Sequence, residues 1–381
     1  MFASLTPELS ASLRGPAWLA EQRIGAVERA AGLPWPTTQD EVWRYSRIGD
    51  LDPAAYDWAP TISTLDSPAG YVERAAGVAV PAAAPIDLFS ELVLGFNDDP
   101  VVVRVPAGQT VSEPIIVTHS LVDGGITLPR LLVFAGCDSE VTVIERFLGS
   151  GKGLMVSSVE IVAEAAARVR YQAVNELGID SWLIANQSAT GERDSTLFLG
   201  TVSLGGDYSR VRTEVRLTGQ GAHAEQVGLS FGEGDQMHDF RVTQVHAAPK
   251  TTSDLLFKSA VEGRSRSVYT GLIHIEKTAR GSKAFQTNRN LKLSDLASSE
   301  SVPNLDIENN DVKCSHASTS GPVDADQKFY LESRGVPPSV AERLIVLGFF
   351  DDVIDRLPAV GLRPVLRAEV AGKLDRRLEH A

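Results

Sequence analysis

The stretch Val156-Ser-Ser-Val-Glu-Ile-Val-Ala-Glu-Ala-Ala-Ala-Arg-Val-Arg-Tyr-Gln-Ala-Val-Asn-Glu-Leu177 holds two strand-like runs, Val156–Val162 and Val169–Val174. Too few residues separate them for a crossover helix, which removes a doubly wound α/β fold. Similar runs lie on either side: Val101–Val105, Ile115–Thr118, Leu131–Phe134 and Val141–Ile144 before it, Leu197–Val202, Val211–Leu217 and Val227–Phe231 after it. Glycines punctuate them at Gly108, Gly124-Gly125, Gly136, Gly205-Gly206 and Gly219–Gly221. Sandwich, barrel and parallel β-helix all accept short strands with small-residue turns. Many strands in one continuous stretch, and runs such as Leu131–Phe134 with neither face clearly polar, favour stacked parallel coils, although no strict motif repeats.

The flanks read differently. Residues 1 to about 58 carry helical patterns at Ser4–Leu13, Trp18–Ala31 and Thr38–Tyr45, broken at Gly15-Pro16 and Gly32-Leu33-Pro34. Trp35, Trp43 and Tyr45 read as packing residues. Residues 59–85, rich in Ala, Pro and Ser, read as a linker or irregular wrap. After Asp324 three helices are expected: Asp326–Arg334, Val340–Leu357 with Leu344, Leu347, Phe350 and Ile354 at helical spacing, and Leu362–Leu378. The expected division is a helical region and linker over 1–85, a β-helix core over 86–323 and a helical region over 324–381.

A chain of 381 residues, 43% hydrophobic and 22% charged, can bury a large core. Its formal charge of −13 repels phosphate backbones and anionic lipid, so nucleic acid and membrane surfaces are poor partners. The N-terminus lacks a basic segment followed by an apolar one, and no apolar run approaches the roughly 20 residues that span a bilayer. Cys137 and Cys314 lie far apart and offer no disulfide framework. A cytoplasmic protein is the expectation.

Few motifs carry chemistry. Gly149-Ser-Gly-Lys-Gly153 has Arg146 and Gly153 where a phosphate-binding loop needs Gly and Ser or Thr, so it reads as a turn. His223 and Glu225, or His238 and Asp239, offer too few ligands for zinc, and HExxH, CxxC and Gly-x-Ser-x-Gly are absent. In Gln286–His316, Cys314 and His316 stand two residues apart. On an extended segment both side chains share a face, and thiolate and imidazole suit iron, copper or zinc. Two ligands do not close a site. The pair reads either as a buried Cys beside a hydrogen-bonded His or as part of a site completed from elsewhere.

Longer motifs add to this. Val245-His-Ala-Ala-Pro-Lys-Thr-Thr-Ser-Asp254, Glu262-Gly-Arg264, Tyr269-Thr-Gly271, Gln286-Thr-Asn-Arg-Asn-Leu-Lys-Leu-Ser-Asp295, Asp311-Val-Lys-Cys-Ser-His316 and Phe329-Tyr-Leu-Glu-Ser-Arg-Gly335, with Glu41-Val-Trp-Arg-Tyr45 near the start, resemble in order and spacing the SufB/SufD family of iron–sulfur cluster assembly proteins. The resemblance covers most of the chain and is tightest over 240–357. Within the family it is similar to the SufD branch. Ser294 stands where SufB-like chains carry a cysteine, and Lys313-Cys-Ser-His-Ala-Ser-Thr319 is close to the SufD pattern Lys-Cys-(Ser/Thr)-His-Gly-Ala-Thr. It departs from that pattern at Ala317 and Ser318.

The resemblance implies a right-handed parallel β-helix with helical N- and C-terminal regions. It implies a non-catalytic scaffold subunit pairing with a SufB-like paralogue and docking the ATPase SufC through residues 337–381. A transient iron–sulfur cluster shared with SufB would use His316, with Cys314 the less certain ligand. Self-pairing of the chain alone and binding of a flavin stay open. Two other classes compete, a β-helix enzyme acting on polysaccharide and a metal-free self-associating structural protein. Few aromatics, not strand-periodic, weigh against the first.

Overall fold

The computed structural model describes residues 2–74 and 87–380, with side chains of the last helix to Arg376. The chain winds into a mainly β parallel solenoid with helices at both ends. One sheet stacks Val101–Val105, Arg130–Ala135, Leu154–Ala163, Trp182–Gly191, Tyr208–Leu217, Met237–His246, Arg266–Ile275 and Ser298–Ile307. The other stacks Ile115–Ser120, Glu140–Gly149, Arg168–Leu177, Thr196–Ser203, His223–Gly232, Thr252–Val261, Lys283–Lys292 and Lys313–Gly321. Each strand pairs in parallel with the strand one coil on. Thr196 lies against Arg168, which lies against Glu140, a step of 28 residues each time (196 − 168 and 168 − 140).

A repeat does exist, in conformation rather than in residue type. One corner of each coil places a residue at positive φ: Gly108, Asp138, Ala166, Asp194, Gly221, Lys250 and Gly281. Its N–H donates to a carbonyl of the following coil, on Cys137, Ala165, Arg193, Gln220, Pro249, Arg280 and Asp311 in turn, at 2.7 to 3.2 Å. From Asp138 onward the next residue is small and buried: Ser139, Ala167, Ser195, Ala222, Thr251, Ser282. The corner satisfies a backbone donor that would otherwise be lost at a bend, and the small residue lets the coils close on one another. Four non-glycine residues in the left-handed region hide the period from a search for recurring Gly.

Inside the coil Val, Leu, Ile and Ala from both sheets form one apolar core that includes Val133, Val143, Ile161, Leu199, Val215 and Leu255. The outer faces are also covered. Parallel sheets are stable when both faces are buried, which is why Leu154–Ala163 is buried almost throughout and shows no alternation.

The first sheet is covered by N-terminal helices α1 (Pro7–Ser12), α2 (Ala17–Gly32) and α3 (Leu88–Phe96). Thr6 caps α1 by accepting from Leu9 N at 3.2 Å, and Asp87 caps α3 by accepting from Ser90 N at 3.1 Å. All nine residues of α3 are buried. Its polar residues Ser90 and Glu91 are buried with the rest, Glu91 against Arg29 at 2.6 Å, and at nine residues it is too short for a sequence pattern to mark it out. The second sheet is covered by α5 (Pro338–Arg356) and α6 (Arg363–His380), and α4 (Ala325–Ser333) packs on α5, with Lys328 donating to Glu342 at 3.1 Å, all close to their expected places. Val346, Phe350, Val353 and Ile354 pack on Val227, Leu229 and Phe231. Arg356 pairs with Asp254 at 2.7 Å, and Lys258 Nζ donates to Phe349 O at 2.7 Å.

Two expectations need correction. The helix over Thr38–Tyr45 is only a 3-10 turn at Glu41–Trp43. Its carbonyls are taken by the first sheet instead: Arg210 donates to Val42 O at 2.7 Å and Arg241 donates to Arg44 O. Both guanidiniums pair with buried Asp239, and Arg210 lies 3.9 Å from the Trp43 ring. Trp43 is accordingly packed and Trp35 partly so, whereas Tyr45 is exposed. The segment read as an irregular linker contributes strands. Ile62–Asp66 pairs antiparallel with Ile115–Ser120, and Val72–Arg74 with Val101–Val105. Residues 75–85 of that reading lie outside the described residues.

Ala166 at φ 59 carries a strain that glycine would not, on the order of 1–2 kcal/mol. Ala166→Gly is expected to raise stability by about 1 kcal/mol, net of the entropy glycine adds in the unfolded chain, as read from the urea unfolding midpoint. A lower midpoint would remove the corner from its place in the fold.

Candidate functional site at the open end of the coil

The last coil pairs on one side only: Lys313–Gly321 with Lys283–Lys292, and Ser298–Ile307 with Arg266–Ile275. Its inward-facing residues therefore meet a coil below and no described coil above. Cys314 stacks on Ala284 and His316 on Gln286. Cys314 is half-buried against Ile273, Ile275, Ala279 and Ala284, and burial pushes its thiol up. His316 is exposed. The expected pair does share one face, with Cα atoms about 6.6 Å apart along the strand.

The interior changes character here. Below, the inward positions are mainly apolar, and the polar ones among them bond one another, as Gln226 does Gln244 and Thr213 does Gln187, each at 2.9 Å. In Lys283–Lys292 they become Gln286, Asn288 and Asn290, all buried, and in the last strand His316, Ser318 and Ser320. Ser318 donates to Ser301 Oγ at 2.7 Å, and Ser320 hydrogen-bonds Ser299, so hydroxyls close the gap between the two last strands. Ser294 is not part of this group. It sits beyond the far end of its strand from Gln286, with its hydroxyl on Gly263 O at 2.6 Å. The polar row Gln286–Asn290 was on view in the sequence, but only the register shows that it faces inward beneath His316.

A metal held by this chain alone would need more ligands. Among the described residues no three His, Cys, Asp or Glu side chains converge. The Cys314–His316 face offers one soft and one borderline donor at an open edge, which fits a site shared with a second chain.

The other histidines with described side chains serve the fold. His223 bonds Thr252 Oγ1 at 2.7 Å and His274 bonds Asp306 at 2.8 Å. His119 lies between Ser63 (2.8 Å) and Glu145 (3.0 Å). His238 is buried, with Nδ1 3.0 Å from Ser203 Oγ. His246 bonds Thr251 at 2.7 Å and Ser253 at 2.9 Å. Gly149–Gly153 is the bend expected of it: Asp123 caps Lys152 N at 2.8 Å.

The outer helices bear an apolar surface of their own. Phe350 and Ile354 are turned to the solenoid, whereas Phe329, Tyr330, Val340, Leu344, Val360 and Val365 are exposed. No described helix is long and apolar enough to cross a membrane.

A family model described as "SUF system FeS cluster assembly, SufBD core domain" matches residues 118–349. An iron–sulfur cluster assembly SufBD family protein of Mycobacterium bovis is 31% identical, with 97% of this chain and 96% of that one covered. A SufBD family protein of Mycobacterium leprae is 30% identical over 89% and 90%. The iron–sulfur cluster assembly protein SufD of Escherichia coli is 25% identical over 93% and 92%.

Burial lowers His246 to about 4 and, aided by Lys373, His238 to about 3, against an ordinary 6.5. Both folded values are depressed, so the unfolded chain takes up protons first as pH falls. Their stability contribution is complete above about pH 6.5 and is lost toward pH 4 and below. His246→Gln is expected to flatten the fall of the urea midpoint between pH 6.5 and 4. An unchanged slope would show that the neutral ring contributes nothing there.

Proposed function

The chain belongs to the SufBD family of the SUF iron–sulfur cluster assembly system, and on that premise we propose that it is the SufD-type scaffold subunit, without catalytic activity of its own. The observation that carries this is the open last coil, with Cys314 and His316 on its inward face. A second β-helix of the same family, SufB-like, would continue the stack there and bring the thiolates this chain lacks. The nascent cluster is cargo at that junction. His316 supplies the preferred ligand, and Cys314, half-buried beside it, is the second candidate. A neutral imidazole suits a cluster that must later leave, because it binds iron less tightly than thiolate and can be protonated off. Ser294 supports the SufD side of the pair: its hydroxyl is committed to a corner, where a cysteine would mark SufB.

The region 324–381 is proposed as the dock for the SufC-like ATPase. Support comes from the apolar residues left exposed on it, Val340, Leu344, Val360 and Val365, after Phe350 and Ile354 have been used against the solenoid. Because α5 is tied to the second sheet through Arg356–Asp254 and Lys258–Asp352, motion of the ATPase reaches the coil through packed and ionic contacts.

Co-expression with SufB-like and SufC-like partners tests both parts. Removing residues 337–381 is expected to abolish co-purification of the ATPase, and retention would refute the dock. In anaerobically purified complex, His316→Ala should lower iron and acid-labile sulfide by roughly tenfold. An undiminished yield would end the ligand assignment.

A further inference from the structure

Beneath His316 three buried polar atoms have no protein partner. They are the amide Nε2 and Oε1 of Gln286 and the hydroxyl of Tyr269, on residues 2% and 0% exposed. They converge on Gly271. A Cβ there would lie 2.4 Å from Gln286 Nε2 and 2.6 Å from the Tyr269 hydroxyl, so glycine alone leaves room for the two groups to approach. The register completes the cradle. Tyr269 and Gly271 lie under Ser301 and Pro303, and Gln286 lies under His316, with adjacent strands about 4.8 Å apart.

Leaving such atoms unsatisfied is costly, and native proteins meet such clusters with an ordered water making about two to four hydrogen bonds. The chemistry of the cradle agrees with water. Burial keeps the Tyr269 hydroxyl protonated by pushing it well up, so the three groups are neutral, with two kinds of donor and a carbonyl acceptor. A bare divalent cation would call for more oxygen ligands and negative charge.

We propose that Gln286 and Tyr269 hold one water molecule that hydrogen-bonds the ring of His316, which makes Gln286 the positioning residue for that imidazole. A ligating histidine is held by a partner on its other ring nitrogen, which fixes tautomer and ring orientation. Here that partner comes through the coil below. The significance for iron rests on the proposed ligand role of His316. The water seat itself does not.

The test uses the full chain with 15N-labelled histidine, the His316 ring signals being assigned by their loss in His316→Ala. Gln286→Leu removes both amide atoms with little change of volume, and Tyr269→Phe removes a single oxygen should the first variant fold poorly. In the wild type the two ring nitrogens should show one dominant tautomer, and either variant should move them toward the mixed values of free histidine. A crystal structure at high resolution should place a water within hydrogen-bonding distance of Gln286 and Tyr269. Identical ring signals in wild type and variants, or a Gln286 amide bonded directly to protein, would overturn the proposal. In the co-expressed complex, Gln286→Leu should lower bound iron by about tenfold. Unchanged iron in His316→Ala together with a shifted ring signal in Gln286→Leu would refute the ligand role and leave the water seat standing.

Discussion

One hydrogen bond per coil carries this architecture: the N–H of a left-handed corner residue given to a carbonyl of the next coil. It recurs from Gly108 to Gly281 and sets where each turn ends and the next strand begins. Register then follows without further instruction, since a shift by one residue would turn every inward Val or Leu outward. The small buried residue after the corner is the steric half of the same device. It lets the chain close tightly enough for the two sheets to share one apolar core.

Parallel coils impose a second condition, that both faces of each sheet be covered. The two sets of helices meet it unequally. The N-terminal set is fastened by ionic groups buried on the first sheet, with Asp239 between Arg210 and Arg241 and Trp43 lying on Arg210. Removing one member would strand an uncompensated charge, which makes the attachment specific. The C-terminal set is fastened by an apolar seam through Phe350 and Ile354 with ion pairs at its margin. The strands of the last coil, Ser298–Ile307 and Lys313–Gly321, are largely exposed, and each leaves one edge unpaired among the described residues.

The same geometry accounts for the chemistry of the open end. Deeper coils hold paired polar groups such as Gln226–Gln244, whereas the final two coils carry a run of three inward polar positions on one strand, with Gln286, Asn288 and Asn290 underlying His316, Ser318 and Ser320. Deeper in the solenoid such a run would be costly to bury. At the mouth it meets a strand with an unpaired edge. On the proposed function, a labile cluster would need donors at a place a second chain can reach, and a solenoid end offers such a place.

The local chemistry of the sequence determined a mainly β chain without crossover helices, the helices at both ends, and the pairing of Cys314 with His316 on one face, while the parallel coil itself was carried by the family resemblance. The first three follow from strand-length apolar runs, the absence of crossover helices and the two-residue period of extended chain, all short-range properties. Helix α3 escaped because it is short and its Glu91 is paired with Arg29 from a distant helix. The Thr38–Tyr45 helix failed because Arg210 and Arg241, roughly 170 and 200 residues away in sequence, claim its carbonyls. The repeat escaped because backbone conformation, not residue identity, recurs. Tertiary structure alone decided that His316 stands at an open edge above Gln286 and Tyr269, and that Ser294 lies apart from it. Those relations are set by register between strands some 30 residues apart, which no local pattern encodes.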